Sequence, residues 1–161
     1  MLFSTFYRVI NSNYLNNIDK DKNRRMLTRL HVHTLAYQAI LIVKESKWNN
    51  TMNAAAKSSL TAHRHVCGTE IVNPEMSYLV LDDSFATSTI TEKNIPKRIV
   101  LSDMEPVSCW NEIIDIEQDN NDIKHFNIEI CLAPVLVCRV AKQTAGAGDN
   151  ISASGLVMQV Y

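Results

Sequence analysis

The chain lacks an excess of charge of either sign. Its formal net charge is −1, so there is no electrostatic case for nucleic acid or an anionic membrane as partner. It also lacks an apolar run long enough to cross a bilayer. The apolar opening, Met1 to Tyr7, is interrupted by Arg8 and Asn11, and reads as the start of an amphipathic helix rather than a signal peptide. The four cysteines, Cys67, Cys109, Cys131 and Cys138, show no C-x-x-C spacing. Zinc is therefore not expected, and neither is a disulfide framework in a chain of 161 residues. Buried thiols acting as small hydrophobes are the expectation. No Gly-Lys-Ser/Thr completes a P-loop, no third glycine completes a dinucleotide fingerprint, and no internal repeat is visible.

What is there suits one globular domain over residues 1–161, with 46% apolar residues to build a core. Phe3, Phe6, Tyr7, Ile10 and Tyr14 recur at helical intervals, and residues 16–25 form a polar loop. Alternation over Arg29–Thr34 predicts a strand, and the β-branched run to Val43 predicts a second. Trp48 to Val66 reads as a helix stopped by Gly68. Residues 71–96 look irregular around Pro74 and Pro96, and 98–101 could form a short strand. Residues 105–123 are acidic and read as a loop around Trp110. Two strands, 125–132 and 135–140, hinge at Pro134 ahead of a final helix. The order is mixed α/β.

Two of the four glycines fall in Thr144-Ala145-Gly146-Ala147-Gly148-Asp149, just before that helix. Gly146, Ala147 and Gly148 can turn the backbone tightly and offer bare N–H groups to an anion. The helix behind them aims its positive end at the same place, so a phosphate would be stabilised there. Asp149 would sit at the mouth of that site, placed to take a proton from an attacking hydroxyl. The plain alternative is a surface turn with Asp149 as a helix cap. His31 and His33 share one face of a strand. They could hold a metal, but no third ligand stands at useful spacing. His63-Arg64-His65 reads as cationic residues at a helix C-terminus, Lys142 as a solvated or phosphate-facing cation, and Trp48 and Trp110 as packing residues. Asn49-Asn50-Thr51 and Asn150-Ile151-Ser152 match the glycosylation pattern, and a glycan on Asn150 would crowd Asp149.

A turn of this form opening a helix resembles the phosphoryl-transfer corner of ribokinase-like sugar kinases. The block Arg29 to Leu35 with Tyr37 is similar to the ADP-dependent glucokinase and phosphofructokinase family, particularly its animal glucokinases. Trp48-Asn49-Asn50 with Ala54 to Ala56, Cys67-Gly68-Thr69-Glu70 and Pro134 to Cys138 resemble further blocks of that family in the same order. The likeness runs over residues 26–161 and is weaker over 71–125.

The resemblance implies an α/β fold: an incomplete ribokinase-like layered α/β/α sheet, the C-terminal portion of the large domain. It implies ADP as donor, glucose as acceptor at its 6-hydroxyl, glucose 6-phosphate and AMP as products, and Mg2+ as cofactor with Asp149 among its ligands. His31, His33, Thr144 and Cys138 would line the nucleotide site, with His31 slightly preferred over His33 as the nucleotide contact. The family's Asn-x-x-Glu motif does not occur in this chain, nor does its sugar-binding region. The isolated chain is therefore expected to be inactive. The alternative is a non-catalytic nucleotide-binding or interaction module. Cytoplasm or endoplasmic reticulum follows from the resemblance alone, and no oligomeric state does.

Overall fold

The computed structural model describes residue 5 and residues 7–11, 26–80, 86–90, 96–98, 104–117 and 123–160. The polar loop expected over 16–25 lies outside them, as does most of the rest of the expected first helix; within it, residues 7–11 are helical and are called α1.

Four strands make the main sheet: β1 (Arg29–His33), β2 (Tyr37–Val43), β6 (Ser108–Glu117) and β7 (Ile123–Pro134). They lie in the order β1-β2-β7-β6, and every pairing is antiparallel. Two small ribbons accompany the sheet. β3 (Ser77–Leu79) pairs with β8 (Leu136–Cys138), and β4 (Ala86–Ile90) with β5 (Pro96–Arg98). Two longer helices complete the described fold: α2 (Thr51–Cys67) and α3 (Ala147–Val160).

The central strands are buried on both faces, which explains the unbroken apolar run in β2. Leu41, Val43, Ile128 and Ile130 point to one side, where they pack with Ile114, Ile116 and Tyr7 of α1. Ile40, Ile42, Cys131 and Ala133 point to the other, against Ala54 and Ala55 of α2 and Met158 of α3. The expected α/β class and layering are thus observed, with helix on both faces of the sheet. Alanines on α2 let the helix approach closely, and Ala62 joins Val135, Val137 and Ile151 in a third cluster between α2, α3 and β8.

Three expectations are corrected. Residues 108–117 are a strand, not an acidic loop: Ile114 and Ile116 are buried while Asn111, Ile113 and Asp115 are exposed, a two-residue alternation that the acidic residues obscure. Within residues 71–96 the described stretches hold a 3-10 turn (Pro74–Met76) and strands β3 and β4, and β5 takes in Arg98 of the expected short strand, whose residues 99–101 lie outside the described residues. The four cysteines are not free thiols. They form the disulfides Cys67–Cys138 and Cys109–Cys131. Cys109 and Cys131 lie directly opposite each other in the β6–β7 ladder. Cys67 and Cys138 are 71 residues apart in sequence, and only the docking of β8 on α2 brings them together.

Candidate functional site

The site is organised by α2. Ser59 donates its hydroxyl to the carbonyl of Pro134, His63 Nδ1 stands 2.8 Å from the carbonyl of Leu136, and Cys67 is bonded to Cys138. Residues four apart on the helix therefore meet residues two apart on the extended chain. The match is geometric, because four helical residues rise roughly 6 Å and two extended residues roughly 6.7 Å. Beyond Cys138 the same helix end holds the next stretch. The amides of Lys142 and Gln143 both donate to the carbonyl of Val66, at 2.8 and 3.3 Å. Gly68 closes α2 in the left-handed region at φ 60°. Its N–H donates to His65 O, and that of Thr69 to Arg64 O. The Lys142 stem rests on Gly68: a Cβ there would lie 3.1 Å from Lys142 Cδ.

The glycine turn follows. Gly146 has φ 74°, which a side chain rarely adopts. The amide of Ala147 donates to Thr144 O at 3.2 Å, and the amide of Asn150 to Gly146 O at 3.1 Å. Between these bonds lie Gly148 and Asp149, whose amides, in the first turn of a helix, have no intrahelical carbonyl to meet. Thr144, Gly146 and Asp149 are exposed, and Ala147 and Gly148 are half-buried. Asp149 stands in the first turn of α3, where the helix dipole favours its charge.

Two histidines flank the turn. His33, exposed at the end of β1, lies against Gly148, where an added Cβ would stand 3.2 Å from His33 Cε1. His65 reaches across from the last turn of α2. Its Nε2 is 2.8 Å from Ala145 O and its Nδ1 is 3.3 Å from Asn150 Nδ2. These partners suit a ring whose Nε2–H donates to the carbonyl and whose Nδ1 accepts from the amide. Asn150 also donates to Gly146 O at 3.0 Å, which closes a small network around the turn.

His31 is placed otherwise. It lies under α3 against Gly155, with Nε2 3.2 Å from Gln38 Oε1. Burial, with the charges of Arg29 and His33 adding to it, pushes its pKa down from 6.5 to about 4, and Gln38 opposes this only in part. By position, α3 packs Gly155 onto His31, whereas His33 stands beside the turn against Gly148. Cys138 is buried in its disulfide with Cys67. Sequence reading missed His65. The ring is 80 residues from its partner Ala145, and nothing local to the His63-Arg64-His65 run distinguishes it from a helix-end cation. Ser59, His63 and Cys67 did carry a signal, being spaced four apart on one face of a helix.

Comparison with known proteins adds a family. The ADP-specific phosphofructokinase/glucokinase conserved region matches residues 4–158. The chain is similar to an ADP-dependent glucokinase of Bos taurus, 33% identical over 130 residues, covering 81% of this chain and 23% of the relative. It is similar to a probable ADP-dependent glucokinase of Caenorhabditis elegans, 27% identical over 137 residues, covering 84% of this chain and 24% of the relative. The chain thus spans about a quarter of the length of these curated relatives. A solved structure described as the last common ancestor of ADP-dependent phosphofructokinases from Methanosarcinales aligns at a TM-score of 0.41 and 17% identity, over 98% of this chain and 30% of that one.

Proposed function

The chain belongs to the ADP-specific phosphofructokinase/glucokinase family, and from that premise we propose that its glycine turn serves phosphoryl transfer from ADP to the 6-hydroxyl of glucose, giving glucose 6-phosphate and AMP. The observation that carries this reading is the turn itself. Gly146 and Gly148 open α3 with Asp149 in its exposed first turn and His33 alongside. In the proposal, the amides at Gly146, Ala147 and Gly148 hold the transferred group, although that of Ala147 must first leave Thr144 O. Asp149 takes the proton of the acceptor hydroxyl. His33 and Thr144 face the nucleotide. Glucose is preferred over fructose 6-phosphate because the two curated relatives named above are glucokinases.

Magnesium belongs to the same proposal. The ion takes oxygen ligands, usually one or two carboxylates completed by substrate phosphates and water. Asp149 offers one exposed carboxylate at the turn. The one cluster of three or more His, Cys, Asp or Glu ligands among the described residues lies elsewhere. The residues therefore fit an ion held chiefly by the nucleotide, with Asp149 as a ligand. Bound there, it would neutralise charge on the phosphates. The two disulfides favour an oxidising compartment, the endoplasmic reticulum rather than the cytoplasm.

A second reading is nucleotide binding without turnover, favoured by the quarter-length coverage of the relatives. The test measures glucose 6-phosphate formation by this chain with ADP and with ATP, for the parent and Asp149→Asn, beside calorimetric binding of ADP. ADP-dependent turnover that falls by about 10²–10⁴ in the variant supports the kinase reading. ADP binding with no turnover supports the second. Equal turnover in parent and variant removes Asp149 from the base role. Neither binding nor turnover overturns both readings.

A further inference from the structure

One group of side chains has no part in the proposed phosphoryl transfer. His63 and Cys67 are four apart on α2 and face the same way, and Cys138 comes to them from β8. Their ligand atoms all lie within 4.8 Å of one another. His63 Nδ1 and Nε2 are 3.3 and 3.6 Å from Cys67 Sγ. The ring is buried, at 2% exposure, and Nδ1 lies 2.8 Å from the carbonyl of Leu136. A proton on Nδ1, donated to that carbonyl, leaves Nε2 as the ring's acceptor, 3.6 Å from Cys67 Sγ. A backbone carbonyl orienting one ring nitrogen while the other is free is the arrangement of a histidine ready to bind metal. The cluster borders a cavity of about 330 Å³, shared with Thr69, Asn73, Ser77 and Lys142.

We propose that, when the Cys67–Cys138 disulfide is opened, these two cysteines and His63 form a zinc site with a fourth position open to the cavity. The opening step is exchange with a dithiol reductant. The Sγ–Sγ bond breaks, two electrons and two protons pass to Cys67 and Cys138, and the reductant becomes a disulfide. Zinc then displaces the two thiol protons and binds two thiolates and one neutral imidazole. Thiolate and imidazole are the ligands this ion prefers, and three protein ligands with one open position is a known zinc arrangement. Tetrahedral zinc sets its ligand atoms roughly 3.5–3.8 Å apart. The 3.6 Å between His63 Nε2 and Cys67 Sγ already meets that range, and the two sulfurs must part to reach it once their bond is broken. Disulfide and metal are mutually exclusive occupants. Either one fastens β8 to the end of α2, from which the segment leading to the glycine turn is hung.

The experiment titrates the whole 161-residue chain with Zn2+ against a chromophoric chelator, before and after reduction. It repeats the titration with Co2+ to read the thiolate-to-metal charge-transfer band. Cys109→Ser/Cys131→Ser serves as the background, so that only one thiol pair can respond. One equivalent bound after reduction, none before, and a charge-transfer band are expected. His63→Ala, which keeps both thiols, is expected to weaken zinc at least about tenfold. Circular dichroism checks that it folds. Affinity unchanged in His63→Ala, equal binding before and after reduction, or zinc without a charge-transfer band in the Co2+ form would each overturn the site.

Discussion

Gly155 of α3 lies so close to His31 of β1 that a Cβ added to the glycine would stand 3.1 Å from His31 Cε1, and only 2.5 Å from Ser58 Oγ. A helix, a strand and a second helix converge on that one hydrogen. Seven residues earlier, Gly148 makes the same approach to His33. The two glycines lie two turns apart on α3 and let the helix settle onto the two histidines of β1.

Gly155→Ala is expected to destabilise the chain by about 1–2 kcal/mol. Overpacking of this kind costs roughly 1–3 kcal/mol, and the gain in helix propensity returns less than 1. Urea unfolding gives the difference. A variant as stable as the parent would mean that α3 can lift from Ser58 without cost.

Acid should weaken the fold through His31. Its folded pKa of about 4 lies below the unfolded value of 6.5, so between these values the unfolded chain binds more protons. Stability is full above pH 6.5 and falls as pH drops towards 4. The whole shift would be worth roughly 3 kcal/mol, and because solvent reaches part of the ring about 2 kcal/mol is expected. His31→Gln should flatten the profile in that window. An unchanged slope would place the acid sensitivity on another group.

His65→Ala should free the turn without unfolding the molecule. It removes the bonds to Ala145 and Asn150, each worth about 1 kcal/mol. Hydrogen exchange of the bonded amides of Ala147 and Asn150 should then quicken by about fivefold or more, while the amides of β2 and β7 keep their rates. Equal exchange at the turn would show that Gly146 and α3 hold it alone.

Both disulfides should appear in non-reducing peptide mapping as Cys67–Cys138 and Cys109–Cys131. Their sequence separations are 71 and 22. On chain-entropy grounds, losing the first costs about 4 kcal/mol and the second about 3. Chemical unfolding of Cys67→Ser and Cys109→Ser checks the order. A larger loss for Cys109→Ser would mean that strain or residual unfolded-state order outweighs loop length.

The local features were legible because their causes are local. Alternation announced β1 and the apolar run announced β2, while glycine at 68 announced the stop of α2. The pair Gly146 and Gly148 announced a tight turn at the start of a helix. β6 was misread because its acidic residues were counted rather than phased. Its alternation, Ile114 and Ile116 inward against Ile113 and Asp115 outward, was present throughout.

What the sequence by itself determined is therefore the periodicity and the turn chemistry, since each depends on neighbours a few residues apart. What only the tertiary structure decided is which distant groups meet. His33 rather than His31 stands at the turn, His65 braces it, and Cys67 finds Cys138. These meetings follow from the rise of α2 matching that of the extended chain beside it, and from alanine and glycine letting backbones close in. Such long-range contacts leave no periodic trace in the sequence, because the loop that closes between two partners can have almost any composition.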